Sequence, residues 1–303
     1  MPAALADPDL PAAAAVQASP PAGMQPAGMQ PAGMQPAGMQ PAGTPPGAAG
    51  SDPGAAADAE RRDSALGWLR HAAGLPRPAF STSFGAEDMV LLDLISRHRL
   101  PIAVFTIDTG RLPEETHRLM QQAEARYGRI IELYFPDSAA VQALIAGDGY
   151  NGFYHGIEQR HRCCDVRKVE PLGRALAGRG AWVTGQRAAQ SQARAALAAI
   201  EPDPRRDLVK VNPLHDWSEA EVWRYLQAFE VPVNELHARH YPSIGCAPCT
   251  RAITPGEDIR AGRWWWEQES ARECGLHARP PTARVIPARV MPSGVMPLER
   301  SPR

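Results

Sequence analysis

Ala79-Phe80-Ser81-Thr82-Ser83-Phe84-Gly85-Ala86-Glu87-Asp88-Met89-Val90-Leu91-Leu92-Asp93-Leu94-Ile95 is the stretch on which the fold turns. A short apolar run enters a turn of small hydroxyl residues and Gly, and an apolar pattern of helical period follows. Residues 79–83 read as a strand. Residues 86–97 read as a helix that buries Met89, Leu92, Leu94 and Ile95. A strand opening through such a turn into a helix is half of a β-α-β unit.

The same alternation continues on both sides. Residues 59–73 form an amphipathic pattern with Leu66, Trp68 and Leu69 on the apolar side. Residues 102–107 are β-branched and of strand length. Residues 112–127 are helical, with Pro113 tolerated near the start and Gly128 near the stop. Further strands are expected at 130–135 and 181–184. Strands alternating with helices of 10–15 residues predict an α/β fold: a mostly parallel sheet flanked by helices on both faces. Ligands of such sheets bind beyond the carboxyl ends of the strands.

Three polar loops lie at such ends. The first is Ser81 to Asp88, whose backbone N–H groups at a helix start suit an anion, although a plain N-cap turn accounts for it as well. It is neither a Walker loop nor a dinucleotide fingerprint. The second, Asp108-Thr109-Gly110-Arg111, sets a carboxylate beside a Gly turn, where it suits an adenine amino group or a ribose hydroxyl. The third, Thr184-Gly185-Gln186-Arg187 with Gln190, Ser191 and Arg194, supplies two guanidiniums. Three such loops on one sheet edge point to a nucleotide-like pocket.

The five cysteines carry the next clue. Cys163-Cys164 and Cys246-x-x-Cys249 make two pairs, and four thiolates suit either Zn²⁺ or an iron–sulfur cluster. Adjacent cysteines lean toward the cluster, because structural zinc sites space their ligands by two to four residues. A redox disulfide between Cys246 and Cys249 is the competing reading. Lys168, one of only two lysines beside Lys210, follows Cys164 by four residues. It suits a position facing sulfur and an anion, or simply a solvated helix face. Cys274 is left over near a Pro-rich end, as a travelling nucleophile or a stray thiol.

Composition sets limits on the rest. The chain has 303 residues, 44% of them hydrophobic and 21% charged, with a net charge of −1. That balance argues against a basic nucleic-acid coat, and the lack of a long apolar run argues against a membrane span. Residues 1–58 are rich in Ala, Pro and Gly, lack Lys, Arg and aromatic residues, and repeat PAGMQ four times from Pro21 to Gln40. They are expected to be a disordered extension, followed by a folded domain at 59–279 and an irregular Pro-rich tail at 280–303. With no signal-peptide pattern at the start, a soluble, cytoplasmic location is expected. The folded part is nearly neutral, so an anion site in it must come from placed arginines.

Seven blocks occur in order from about residue 60 to 277: SFGAED (83–88), IDTGRLPEET (107–116), CCDVRKVEPL (163–172), TGQRAAQS (184–191), GCAPCTR (245–251), RAGRWWWE (260–267) and ECGLH (273–277). Together they resemble the assimilatory adenylyl-sulfate/phosphoadenylyl-sulfate reductase family. The resemblance implies an adenine-nucleotide α-hydrolase-like fold, related to ATP pyrophosphatases, with a mobile C-terminal segment. It implies a [4Fe–4S] cluster on Cys163, Cys164, Cys246 and Cys249, and with both pairs present it favours adenosine 5′-phosphosulfate as substrate. Cys274 is then the nucleophile, passing through an S-sulfocysteine that thioredoxin or a similar thiol reductant resolves to sulfite. Lys168, Arg194, Arg260 and Arg263 match positions around the phosphosulfate, and Arg187 is a further substrate-binding candidate. Ser81, Ser83, Phe84, Gly85, Asp108, Thr109 and Gly110 match the adenosine side, and His277 is assigned to positioning Cys274. Association into a homo-oligomer is compatible with the pattern.

One departure is Ala188-Ala189, where the family often has a charged pair. Trp264, Trp265 and Trp266 read as packing for the C-terminal segment rather than as a stacking platform. The alternatives kept open are a 3′-phosphoadenylyl-sulfate reductase and a nucleotide-binding iron–sulfur or zinc regulator without turnover. An ATP-dependent adenylating enzyme is disfavoured by the altered phosphate loop.

Overall fold

Six short strands hydrogen-bond into one sheet in the described part of the chain. They are β1 (Ala79–Ser81), β2 (Ala103–Ile107), β3 (Ile131–Tyr134), β4 (Ala181–Val183), β5 (Ile200–Asp203) and β6 (Leu208–Val211), in the order β3-β2-β1-β4-β6-β5. All neighbours run parallel except β5, which lies antiparallel on β6. This computed structural model describes residues 53–190 and 194–267, and these fall in one unit, Gly50–Arg303.

Alternation along the strands assigns the two faces. Phe80, Val104, Val183 and Val211 point to one side, where they meet α1 (Pro53–Ala73), α2 (Ala86–Arg97) and α7 (Glu219–Ala228) through Leu69, Met89, Leu92, Val222 and Leu226. Ala79, Phe105, Trp182 and Leu208 point to the other, against Leu172, Ala175 and Leu176 of α6 (Glu170–Leu176). Covering both faces explains why the central strands lack polar alternation. Each buried Leu or Phe here stabilises the layers by roughly 1.5–3 kcal/mol.

Chain order produces the site. From β1 the chain runs outward through α2 to β2, then through α3 (Glu114–Tyr127) to β3. It returns by α4 (Ser138–Asp148), α5 (Ile157–Cys164) and α6 to place β4 on the opposite side of β1. The loops after β1 and β4 therefore diverge, which opens a crevice at the carboxyl end of the sheet.

The elements differ from the sequence reading in particulars. Helix α1 begins at Pro53 rather than 59, with proline at a position that favours helix starts. Strand β1 stops at Ser81, so Thr82 and Ser83 belong to the turn. Pro113 takes extended geometry (φ −61°, ψ 150°), so α3 starts at Glu114 and not at 112. The β5–β6 ladder was not expected; Pro202 and Pro204 conceal it, and Pro202 sits on an edge strand, where proline is tolerated. Among the described residues no helix is long and apolar enough to cross a membrane. The expectations for the N-terminal extension up to residue 52, for Ser191, and for the C-terminal segment and tail from 268 onward lie outside the described residues.

Candidate active site

A cavity of about 270 Å³ occupies the crevice at the carboxyl ends of the strands. Ser81, Thr82, Ser83, Gly85, Ala86, Glu87 and Asp88 line one wall, Thr106, Ile107 and Thr109 a second, and Thr184 to Arg187 with Gln190 and Arg194 a third. The three loops singled out in the sequence thus converge.

The first loop is shaped by Asp88. Its carboxylate accepts from the Ser83 backbone N–H at 2.6 Å and from Ser83 Oγ at 2.7 Å, which folds the turn back onto the start of α2. Burial nevertheless pushes the Asp88 carboxyl up to about 6, against those two hydrogen bonds. Gly185 of the third loop must lack a side chain, because a Cβ there would collide with this carboxylate. Arg187 reaches across from the same loop. Its Nε and Nη2 donate to Glu87 Oε1 at 2.8 and 2.7 Å, and Nη1 donates to the Trp217 carbonyl at 3.2 Å. Arg194 donates to Gln190 Oε1.

The second loop hangs on α5 and the wide π-helical turn that follows it, Asp165–Val169. Arg167 from that turn is buried and donates to the Thr109 carbonyl at 2.7 Å. Gly110 adopts φ +69° beside this guanidinium, a conformation that favours glycine. Asp108 turns away from the cavity; it accepts from the Gly110 N–H at 2.8 Å and lies 3.0 Å from His117 Nε2.

Lys168, Arg260 and Arg263 form a cationic end of the cavity. Arg263 is buried, with Nη1 3.2 Å from the Ile244 carbonyl and 3.4 Å from Ser243 Oγ. Gly245 makes room for it, since a Cβ there would strike the guanidinium. The lining also includes Glu219, Val222 and Trp223 of α7 with His237, whose ring lies edge-on to Trp223 at 5.2 Å. Burial holds His237 below the usual histidine range.

Behind the cationic end the cysteines gather. Cys164, Cys246 and Cys249 are buried, Cys163 is half-buried, and none of the four is in a disulfide, so the redox disulfide considered for Cys246 and Cys249 is not formed. Cys246, Cys249, Phe153 and Trp264 make one cluster, with Cys163 packed on it. Burial opposes a thiolate at Cys246, yet the Lys168 ammonium, the Thr109 hydroxyl (Oγ1–Sγ 3.2 Å) and Arg263 outweigh it and draw that thiol below its ordinary value. Burial pushes Cys249 up to about 12, and neighbouring Cys246 adds to this. Cys163 is also raised by burial.

Among the described residues no three His, Cys, Asp or Glu side chains close on a point that would hold one metal ion. A polynuclear iron–sulfur group spreads its four thiolates further apart, and its negative charge is matched by Lys168, Arg167 and Arg111, each of which favours ionised thiols here. The donor set fits that group.

Of the residues expected from sequence, Ser81, Ser83, Gly85, Thr109, Lys168, Arg187, Arg194, Arg260 and Arg263 line the cavity. Phe84, Asp108 and Gly110 do not. Phe84, at φ +60°, packs its ring in the hydrophobic core and is 1% exposed. Cys163, Cys246 and Cys249 pack in one cluster and Cys164 is close enough to Cys249 to act on its thiol electrostatically, while Cys274 and His277 fall outside the described residues. Sequence reasoning missed Glu219, Trp223 and His237, which have no motif of their own and reach the cavity by packing alone. It also missed Arg160 and Glu267, whose one signal was their place beside the CC and WWW runs.

Three comparisons agree with this geometry. Residues 77–252 match the family model described as the phosphoadenosine phosphosulfate reductase domain. The chain is 58% identical over 200 residues to a protein of Allochromatium vinosum named adenosine 5′-phosphosulfate reductase, covering 66% of this chain and 78% of that one. A Burkholderia cepacia protein of the same name is 53% identical over 227 residues, covering 74% and 89%. Among solved structures, the phosphoadenylyl-sulfate reductase of Candida auris in its phosphate complex superposes with a TM-score of 0.54 at 27% identity, over 68% of this chain and 100% of that one. The family model over residues 77–252 and relatives identical at 53–58% over two thirds or more of their length place this chain in the phosphoadenosine phosphosulfate reductase domain family.

Proposed function

We propose that this chain reduces adenosine 5′-phosphosulfate to sulfite and AMP in sulfate assimilation, within a domain spanning residues 59–279. The observation that carries this reading is the position of Lys168, which lines the nucleotide-sized cavity and at the same time draws down the Cys246 thiol. A basic anion pocket is thereby joined to a four-cysteine centre. Relatives that are 45–58% identical bear the name of this reaction.

Cys163, Cys164, Cys246 and Cys249 are the residues that would hold a [4Fe–4S] group, which would supply fixed charge beside Lys168. The loops at Ser81–Asp88 and Thr109 enclose the nucleoside, while Lys168, Arg194, Arg260 and Arg263 receive the phosphosulfate. Guanidiniums suit this task because they grip oxyanions in a two-pronged way. Fixed cations also offset the charge that develops on the leaving phosphate.

The Cys274 thiolate attacks the sulfuryl sulfur. The bond from that sulfur to the bridging oxygen breaks, its electron pair leaves on AMP, and an S-sulfocysteine remains. A thiolate of thioredoxin or a similar dithiol then attacks the Cys274 sulfur. Sulfite departs with the pair of the broken S–S bond, and the second thiol of the reductant closes its own disulfide and frees Cys274. Two electrons thus pass from dithiol to sulfate sulfur. His277 is assigned to holding Cys274.

Mass spectrometry of the iron-loaded protein mixed with adenosine 5′-phosphosulfate and no reductant is expected to find one sulfonate, on the peptide that carries Cys274. A sulfonate on another side chain, or none, overturns the assignment.

A further inference from the structure

Lys210, the second of the two lysines, is buried and lies outside the cavity lining. Strand pairing sets it in one row across the sheet, with Trp182 of β4 on one side and Glu201 of β5 on the other. Cross-strand neighbours in such a row share a face. The Lys210 ammonium lies 3.8 Å from Glu201 Oε2 and 5.8 Å from the centroid of the Trp182 ring. It also donates to Oε1 of Gln186, in the loop that follows β4.

The backbone of Gln186 is fixed from the same direction. Its N–H donates to Thr184 Oγ1 at 3.4 Å, and that hydroxyl donates to Asn212 Oδ1 at 2.6 Å. Asn212 has no exposed surface; its Nδ2 donates to the Ala198 carbonyl at 2.8 Å and to Glu201 Oε2 at 3.3 Å. Glu201 thus braces both the main-chain and the side-chain support of Gln186.

An ammonium carries donors only, so the end of the Gln186 amide that meets Lys210 has to be its oxygen. The amide is planar, which turns Nε2 and its two N–H donors away from Lys210. Among the described residues Nε2 makes no hydrogen bond, and it is not sealed from solvent. Gln186 is 6% exposed and lines the cavity. An unrestrained glutamine offers a ligand either its oxygen or its nitrogen, whereas this one offers N–H alone.

We propose that Gln186 is a specificity-determining contact, presenting a fixed N–H donor to an acceptor atom of the bound nucleotide, and that Lys210, braced by Glu201, is the positioning residue that sets this polarity. A site built to donate discriminates against ligands that lack the matching acceptor. The assignment rests on the reading of the cavity as an adenine-nucleotide site.

The test is calorimetric titration of AMP into the full, iron-loaded chain, in a double-mutant cycle of Gln186→Met and Lys210→Met. Gln186→Met should weaken AMP binding by about fivefold, the scale of one lost hydrogen bond. Lys210→Met should weaken it by about threefold in the parent, yet by less than about 1.5-fold in the Gln186→Met background, because it acts through the amide. Lys210→Arg, which also has donors only, should stay within about 1.5-fold of the parent. A lysine that only ties β6 to β5 would weaken AMP alike in both backgrounds, and that result overturns the proposal. So does parent-like AMP binding in Gln186→Met or Lys210→Met, or a fall of Lys210→Arg to the level of Lys210→Met. Lys210→Gln, whose amide can donate or accept, takes the place of Lys210→Met in the same cycle if the latter does not fold. Adenosine titrated beside AMP locates the acceptor: an equal loss in Gln186→Met puts it on the nucleoside, a loss confined to AMP puts it on the phosphate, and both support the donor. A parent that binds neither overturns the nucleotide reading of the cavity and the contact with it, whereas additive losses in a parent that binds overturn the contact alone.

Discussion

Asp88 shows what one residue must reconcile. Its carboxylate folds the anion loop through Ser83, yet its burial drives the carboxyl up to about 6. An unfolded aspartate titrates near about 3.9, so the folded state holds the proton more tightly. The stabilisation from the neutral form is complete below about pH 4 and is lost as pH rises through about 6, for a total of about 3 kcal/mol at most. Asp88→Asn cannot ionise. Its stability relative to the parent should therefore improve between about pH 4 and pH 7, as urea midpoints of the two proteins in the same metal state would show. A pH-independent difference would refute the buried titration. Lys168 reconciles a different pair of demands, since the same ammonium serves the cavity and the Cys246 sulfur. Lys168→Gln is expected to lower kcat/KM by about 10²-fold or more, the scale of losing one fixed charge at a reacting oxyanion. A loss below about threefold would remove it from the site.

Among the elements, the segment from α5 through the π-helical turn to α6 has the largest part in the chemistry. It carries Cys163 and Cys164 at the end of one helix, Arg167 under the Thr109 turn, and Lys168 at the cavity. A π turn offsets the register of the side chains that follow it, which is why such turns collect at functional sites. A helical pattern read from sequence cannot show that offset. Helix α7 supplies Glu219, Val222 and Trp223 to the cavity lining and starts with a capping box between Ser218 and Glu221. Ser218→Ala should cost about 1 kcal/mol, read as a lower denaturant midpoint, with AMP affinity kept within about twofold. An unchanged midpoint would mean that packing of Val222, Tyr225 and Leu226 sets this helix without help from its cap.

For the whole molecule, the sheet order and the cysteine centre are linked. Strands β1 and β4 part at the crevice, and the four thiols close over its cationic end from α5 and from the turn at Cys246–Cys249. Because a group bound only by the folded chain stabilises it by mass action, stripping the proposed iron–sulfur group should lower the thermal midpoint by on the order of 10 °C. Calorimetry on loaded and stripped samples measures this. Equal midpoints would mean that the four thiols are held by protein packing alone.

Chemistry and class were legible along the chain because they are written in short, local patterns. Alternating strand and helix periods announce the parallel sheet, and CC with CxxC announces the thiol centre even though 81 residues lie between the pairs. The anion loop at Ser81–Asp88 is local in the same way. What distance in sequence hides is which side of a loop faces inward. Phe84 sits within the anion motif yet is buried in the core, and Asp108 turns from the cavity to bind its own turn and His117. Arg160 meets Glu267 across 107 residues, in a contact that no period or motif encodes. Periodicity is a property of neighbours in the chain, whereas facing and ion pairing depend on how close-packed layers exclude water.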